Sequence, residues 1–421
     1  MSDELYVNEV QTITGTPSAI FGLIFDGAAT AATIPIAATA AQIQAALEAL
    51  PNVGVGNVVA AGGALPTAVT VTFSGSTVAG RDVPQLLVQG ATTGLTFATT
   101  TPGTGYGVVQ TPTRFLEFVD ESVKLTIDRV ESKAIRANNR VLRSDRWAAG
   151  KRQAGGDLGF EVGSKGFAAL LGHCLGKAPV ITTPAGGTLT RDHTITLGDE
   201  WNRSFTLQIG TPTQLSDAAN VKPFTYVGCK VTDWELNLDV DGILTLKCTI
   251  DARDETLAVS LATASYASAF ELFYFVQGSA TIAGANVDIT KFSLKGKQSY
   301  KQDRFYLQSG GLKKQPIAND LIEVTGDIEL DFLDTVAYQR YTSGTVFAVT
   351  LLCQSNTIIE GITGGNASPG LLITLPVVRP EGDTPDVSGA DVLMQAVPFK
   401  VLNDGVNEPV TLRYRSTDLV S

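Results

Sequence analysis

Histidine is almost missing from this chain: there are two, His173 and His193, in 421 residues. With so few imidazoles there is little room for a histidine-based general base, a His-rich metal site or a nucleophile–histidine pair. No His-x-x-x-His, Walker A loop or Gly-x-Ser-x-Gly occurs. The four cysteines (Cys174, Cys229, Cys248, Cys353) are scattered without a Cys-x-x-Cys, and read as reduced core residues of a protein made in a cytoplasm. Basic charge is also short. Thirty-one Lys and Arg stand against 42 Asp and Glu, giving a net charge of −11 and a pI of about 4.8, which argues against gripping nucleic acid by counterion release. No apolar run approaches the ~20 residues of a membrane span. The start, Met1-Ser-Asp-Glu-Leu-Tyr, shows no signal-peptide pattern. No membrane anchoring, cofactor or metal is expected.

What the sequence does have is period-two alternation. From Trp234 to Val240, Trp234, Leu236, Leu238 and Val240 alternate with Asp233, Glu235, Asn237 and Asp239. Asp241-Gly242 reads as a type I′ turn. The return strand alternates Leu244, Leu246, Cys248 and Ile250 with Thr245, Lys247, Thr249 and Asp251. Such alternation predicts a sheet packed by one face and wet on the other. The segment Ile322–Phe332 repeats it, with Glu323, Thr325, Asp327, Glu329 and Asp331 on the wet side. Two acidic, solvated strand faces are the feature to explain. Carboxylates spaced evenly along a wet face are ordinarily solvated rather than catalytic. Asp239-x-Asp241-Gly242 lacks the later ligands of a calcium loop.

In chain order, residues 7–98 form a block rich in Ala, Thr, Val and Gly. Strands are predicted at Val10–Thr14, Ile20–Phe25, Val69–Phe73 and Gln85–Gln89, and one helix from the Thr39/Gln42 capping box to Pro51. Residues 1–6 are an arm and residues 99–112 a linker, in which Gly103-x-Gly105-x-Gly107 is spacer. Beyond it, Phe115–Phe118 and Val123–Glu131 read as strands. A long basic segment follows with Lys133, Arg136, Arg140, Arg143, Arg146, Trp147, Lys151 and Arg152. Then come a strand at Asp157–Val162 and a helix capped by Ser164, striped by Phe167, Leu170, Leu171 and Cys174, and stopped by Gly176. His173 on that helix reads as packed or capping. The order recurs: strand Ile289–Lys297, a basic loop 295–314 with Lys313 and Lys314, Gly326-Asp327-Ile328-Glu329 aligned on Gly156-Asp157-Leu158-Gly159, and a helix near Thr335–Tyr341. Each half ends in a hairpin, Tyr226–Glu255 and Met394–Arg415. An internal duplication, 113–258 and 259–421, is therefore expected. A basic loop on an acidic protein suits docking on another copy.

At Phe115-Leu-Glu-Phe, Arg140-Val-Leu-Arg-Ser-Asp-Arg-Trp-Ala-Ala-Gly, Gly228-Cys-Lys-Val-Thr-Asp-Trp-Glu-Leu and Tyr414-Arg-Ser-Thr-Asp, the chain resembles the major tail tube proteins of long-tailed, non-contractile phages. It is most similar to the long form found in phages of actinobacteria, over about Gly105 to the end. Gln11-Thr-Ile-Thr-Gly-Thr-Pro, Ala45-Ala-Leu-Glu-Ala-Leu and Gly80-Arg-Asp-Val-Pro resemble a β-rich accessory module of phage structural proteins. The resemblance implies a mainly β fold with a few short helices, whose sheets join across subunits into a closed β-barrel channel. It also implies stacked rings linked by a long loop, in a virion tail through which DNA is ejected. Asp233, Glu235, Asp239, Glu323, Asp327, Glu329 and Asp331 would then line the lumen. Arg136, Arg140, Arg143, Arg146, Trp147, Lys151, Arg152, Lys313 and Lys314 would serve ring stacking. Partners would be further copies, as a homotrimer of duplicated halves or alternatively a homohexamer. The tape-measure protein and transiting DNA would occupy the lumen, with tail-tip and terminator proteins at the ends. The accessory module would project from the tube. The rival expectation is a β-rich adhesin or carbohydrate-binding surface protein. A hydrolase is disfavoured, and no enzyme activity is expected.

Overall fold

The computed structural model describes all residues except 5–7, 26–27, 32, 75–82, 84, 90–91, 102–105, 136–140, 201–202, 214–220, 308–309, 333–334, 383–393 and 420–421. The fold is mainly β with three α-helices among the described residues. The chain divides into two compact units, one of Glu4–Val108 with Asn202–Ser204, the other of Met1–Asp3, Val109–Trp201 and Phe205–Ser421.

In the smaller unit, β1 (Val10–Gly15) and β2 (Gly22–Phe25) precede helix α1 (Ala40–Glu48), whose Thr39/Gln42 capping box forms as its sequence dictates. Ile43 and Leu47 of α1 join one apolar core with Phe21, Leu23, Val69, Val71 and Phe73. Strands β3 (Val58–Gly62), β4 (Val69–Phe73), β5 (Leu87–Gln89) and β6 (Leu95–Thr101) follow. The sheet order is β3-β4-β1-β6. Thr99–Thr101, expected in the linker, are thus hydrogen-bonded strand, because Leu95 and Phe97 pack on the core and carry the backbone along β1. Buried Glu9 and Gln11 hold the segment before β5: Glu9 accepts from Val83 N at 2.7 Å and Gln11 Oε1 from Leu86 N at 2.7 Å.

The larger unit begins with β7 (Asp120–Glu121), β8 (Lys124–Glu131) and the long β9 (Trp147–Glu161). After helix α2 (Ala168–Leu175) come β10 (Ser204–Pro212), β11 (Val221–Asp239), β12 (Thr245–Ala252) and β13 (Asp254–Thr256). Then follow β14 (Lys291–Lys297), β15 (Glu323–Asp331), helix α3 (Val336–Ser343), β16 (Phe347–Gln354), β17 (Gly370–Pro380), β18 (Met394–Val401) and β19 (Thr411–Ser416). Eighteen strands of this unit belong to one hydrogen-bonded network. The two expected halves are thus not separate compact bodies, since β11 pairs with β14 from Asp233↔Lys297 to Asp239↔Lys291. Among the described residues no closed barrel is found.

The alternation read in the sequence holds along the centre of this sheet. Trp234, Leu236, Leu246, Cys248, Phe292, Leu294 and Ile328 are buried in one core with every residue of α2 that bears an apolar side chain. Cys174 of α2 and Cys248 of β12 place their Sγ atoms 3.5 Å apart, and all four cysteines are free and buried. Several details differ from expectation. Only Asp241 takes a positive φ (62°) at the turn, so it is not type I′; Val240 is exposed because the strand leaves the sheet there. Phe115–Phe118 is not a strand. Helix α2 has Phe167 at its N-cap with no side-chain cap; the Ser164 hydroxyl accepts from Glu271 N instead. Gly176 ends α2 in the left-handed region, φ 79°, where a Cβ would be strained. Met394–Arg415 is not a hairpin. Both β18 and β19 pair with successive parts of β17, whose length accommodates them end to end.

Candidate functional site

The seven carboxylates singled out in the sequence lie on one face of the central sheet. Asp233, Glu235 and Asp239 stand on β11, and Glu323, Asp327, Glu329 and Asp331 on β15. The two acidic strands are not neighbours. Strand β14 lies between them and presents Lys291, Ser293, Lys295 and Lys297 to the same side. Across the sheet the rows read Asp233–Lys297–Glu323 and Asp239–Lys291–Glu329. The Glu235–Lys295 ion pair is 3.1 Å long, and Asp239–Lys291 is 3.9 Å. On the flanks, Lys247 lies 3.8 Å from Asp157 and Lys400 2.5 Å from Glu323. The hydrogen bond and charge of Lys400 hold the Glu323 carboxyl below its usual range.

The two acidic strand faces expected from the sequence are therefore separated by a basic strand and do not run on into one another. Opposite charges set directly across antiparallel strands attract, and like charges there repel, so an acidic strand is better flanked by a basic one. By strand register β11, β14 and β15 put seven carboxylates on this face (Asp233, Glu235, Asp239, Glu323, Asp327, Glu329, Asp331). Three lysines oppose them (Lys291, Lys295, Lys297). The excess is four negative charges. The Lys291-x-Ser-x-Lys295-x-Lys297 period is visible in the sequence, but its place between β11 and β15 rests on long-range pairing that no local pattern carries. Asp251 also belongs to the wet-face parity of β12 and is nonetheless buried, because the Lys313 ammonium is delivered onto it.

The two basic loops differ from each other. Arg136 and Arg140 lie outside the described residues. Arg143 and Asp145 form a bidentate pair at 2.8 and 3.0 Å, with the Arg146 guanidinium 3.9 Å from the same carboxylate. Trp147, Lys151 and Arg152 are not in the loop. They open β9, paired to β8, with Arg129 over the Trp147 ring at 5.4 Å. In the second loop Lys314 is exposed, whereas Lys313 is buried against Asp251 and is not available for stacking. This loop lies on strands of the first half. Lys151 sits over the Phe305 ring at 5.1 Å, Lys230 over Tyr300 at 5.3 Å, and Arg152 N donates to Gly311 O at 2.8 Å.

The histidines are both fully buried. His173 pairs with the buried Glu200 carboxylate. His193 lies against Tyr414 and Ser416, where burial lowers its pKa. Among the described residues no group of three or more His, Cys, Asp and Glu is placed to hold a metal ion, and no helix is long and apolar enough to cross a membrane.

A search of curated proteins gives no match. The charged sheet face, the two loops and the larger unit from Val109 as far as the end of β18 fall in the span, residues 90–401, that matches the family model of the phage tail tube protein, and the chain belongs to that family.

Proposed function

We propose that this chain is the structural, non-catalytic subunit of a non-contractile phage tail tube, and that its larger unit is a duplicated tube domain three copies of which form a pseudo-sixfold ring. The observation that carries the duplication is strand register. The pairs Lys124↔Gly155, Gly155↔Asp251 and Lys230↔Asp251 link β8–β9–β12–β11. Lys295↔Thr325, Thr325↔Lys400 and Arg379↔Lys400 link β14–β15–β18–β17 in the same order. Even an irregularity recurs: the β10–β11 ladder shifts between Phe205 and Leu207, and the β16–β17 ladder between Phe347 and Val349. A helix follows β9 and β15 alike. Strand β14 is shared between its own half and β11 of the other. Its counterpart β8 would take the second half of a neighbouring copy in the same way, so that sheets close around a channel and no edge is left to aggregate.

In this ring the charged face lines the lumen. Its excess of carboxylates repels DNA phosphates, while the intervening lysines keep the field modest and the wall rigid. The tape-measure protein and then DNA would pass there; tail-tip and terminator proteins would close the ends. The smaller unit is an accessory module that the tube does not need.

End-on averages of assembled particles by negative-stain electron microscopy test the ring. A central hole with three peripheral masses is expected, one per accessory module. Six masses would keep the tube and refute the duplicated trimer. The lumen is tested by cysteines introduced at Asp239 and Asp327, which in intact tubes should resist a maleimide too large for the open ends. Rapid labelling at both would place this face outside.

A further inference from the structure

The second basic loop is already docked, and what it docks on indicates where the first belongs. The loops are alike in length. The register-equivalent pairs that bracket them, Lys124↔Gly155 and Lys295↔Thr325, enclose connections differing by one residue. The second loop leaves the edge of β15 and lies sideways on the other half. Phe305 meets Lys151 of β9, Gly311 meets Arg152, and Lys313 meets Asp251 of β12. The contact is close: a Cβ on Gly311 would stand 2.4 Å from Gly150 O.

In the first loop Arg143 pairs with Asp145 and Ser132 N donates to Arg146 O, while Ile135 is 95% exposed and Leu142 is also exposed. The alignment of Gly156 on Gly326 carries the seat over to the second half. Counted back from these glycines, Lys151 corresponds to Leu321, Phe305 to Ile135 and Lys313 to Arg143; by strand register Asp251 corresponds to Lys400. Leu321 is 85% exposed. A lysine over an aromatic ring inside the chain thus has, as its counterpart, two aliphatic side chains that the single chain leaves in water. Lys400 and Arg143 each already carry a carboxylate, Glu323 and Asp145, so the four charges can interleave when the surfaces meet.

We infer that the first loop, through Ile135, docks laterally on the second half of another copy, at Leu321 beside Lys400, as the second loop docks within the chain. This rests on the duplicated-ring reading above. The two loops then have separate duties: the second fixes the halves of one subunit, and the first joins subunits around the ring rather than ring to ring.

Full-length protein carrying Ile135→Cys and Leu321→Cys would be assembled, oxidised and run on non-reducing gels. The native cysteines are buried, and each single variant serves as the control. Covalent dimers and trimers, ending at the trimer, are expected from lateral closure. A ladder continuing past the trimer would mean ring-to-ring contact and overturn the inference, as would uncrosslinked chains in normally formed tubes. A second pair guards against a variant that does not assemble. Ile135→Glu or Leu321→Lys alone should cut the sedimentable tube fraction about tenfold, by burying an unpaired charge at the contact. Both together should restore it, and all should melt like the wild-type monomer. Single variants that polymerise normally would overturn the inference. Wild-type protein that forms neither rings nor tubes would instead refute the underlying reading.

Discussion

Lys313→Met is expected to cost about 3–5 kcal/mol of folding stability, the loss typical when one member of a buried ion pair is removed. The Lys313 side chain is 3% exposed and that of Asp251 11%. Without the ammonium, the Asp251 carboxylate would stay buried beneath the second loop, on the face of β12 opposite the core, with only the weaker pull of Lys230 to offset its charge. Burial already pushes the Asp251 carboxyl up, against the opposing pull of Lys313. Removing Lys313 raises it further, and that fixes the sign of a pH dependence. A carboxyl whose folded pKa lies above its unfolded value penalises folding once pH exceeds both, and the penalty shrinks as pH falls toward the unfolded value near 4. The gap between variant and wild type in urea melts should therefore narrow from pH 7 to pH 4. The double variant Asp251→Leu with Lys313→Met should recover most of the loss, because a well-packed apolar pair can replace a buried ion pair. A single-variant loss below about 1 kcal/mol, the range of exposed pairs, would mean that the pair is solvated and the second loop is not clamped.

How far the sequence discloses this architecture depends on the range over which each feature is specified. Helix α1 was legible to its cap because Thr39 and Gln42 satisfy each other's backbone locally, and the burial pattern of β11 followed from its period of two. The acidic residues were found individually but not their setting, since a lysine strand between β11 and β15 is a consequence of pairing across the two halves. Lys313 illustrates the limit best. In a basic loop it reads as a surface charge, and only the docking of that loop on β12 makes it a buried one. Trp147, Lys151 and Arg152 read as loop in the sequence because the basic composition masks strand alternation; pairing with β8 extends β9 through them. Ser164 matched the composition of an N-cap, yet its hydroxyl serves the segment at Glu271. His173 reads as packed or capping from its place among the core positions of α2, and it is buried there, whereas its acidic partner, Glu200, lies too far along the chain for any spacing rule to find.

Gly326→Val is expected to destabilise the larger unit by about 3 kcal/mol, the upper range for overpacking a filled core. Glycine ordinarily weakens a strand interior, and Ala in its place stabilises wherever the backbone permits. Here the sign reverses. A Cβ at Gly326 would lie 2.3 Å from Cζ of Phe399 and 2.7 Å from Ser293 O. The ring comes from β18 and the carbonyl from β14, the two strands between which β15 is paired. Phe399 is buried and cannot swing away, and the carbonyl belongs to the ladder. Even Gly326→Ala should therefore lower the melting temperature, while adding Phe399→Leu to Gly326→Val should recover only the part due to the ring. Gly156 is the equivalent position: its Cβ would stand 2.4 Å from Ser122 O, the carbonyl just ahead of β8 that corresponds to Ser293. The glycine that aligns the two halves in the sequence thus has the same reason in each, a neighbouring strand carried too close for any side chain. If Gly326→Ala instead stabilises the protein, that close approach is absent, and the shared glycine no longer supports a common ancestry of the halves.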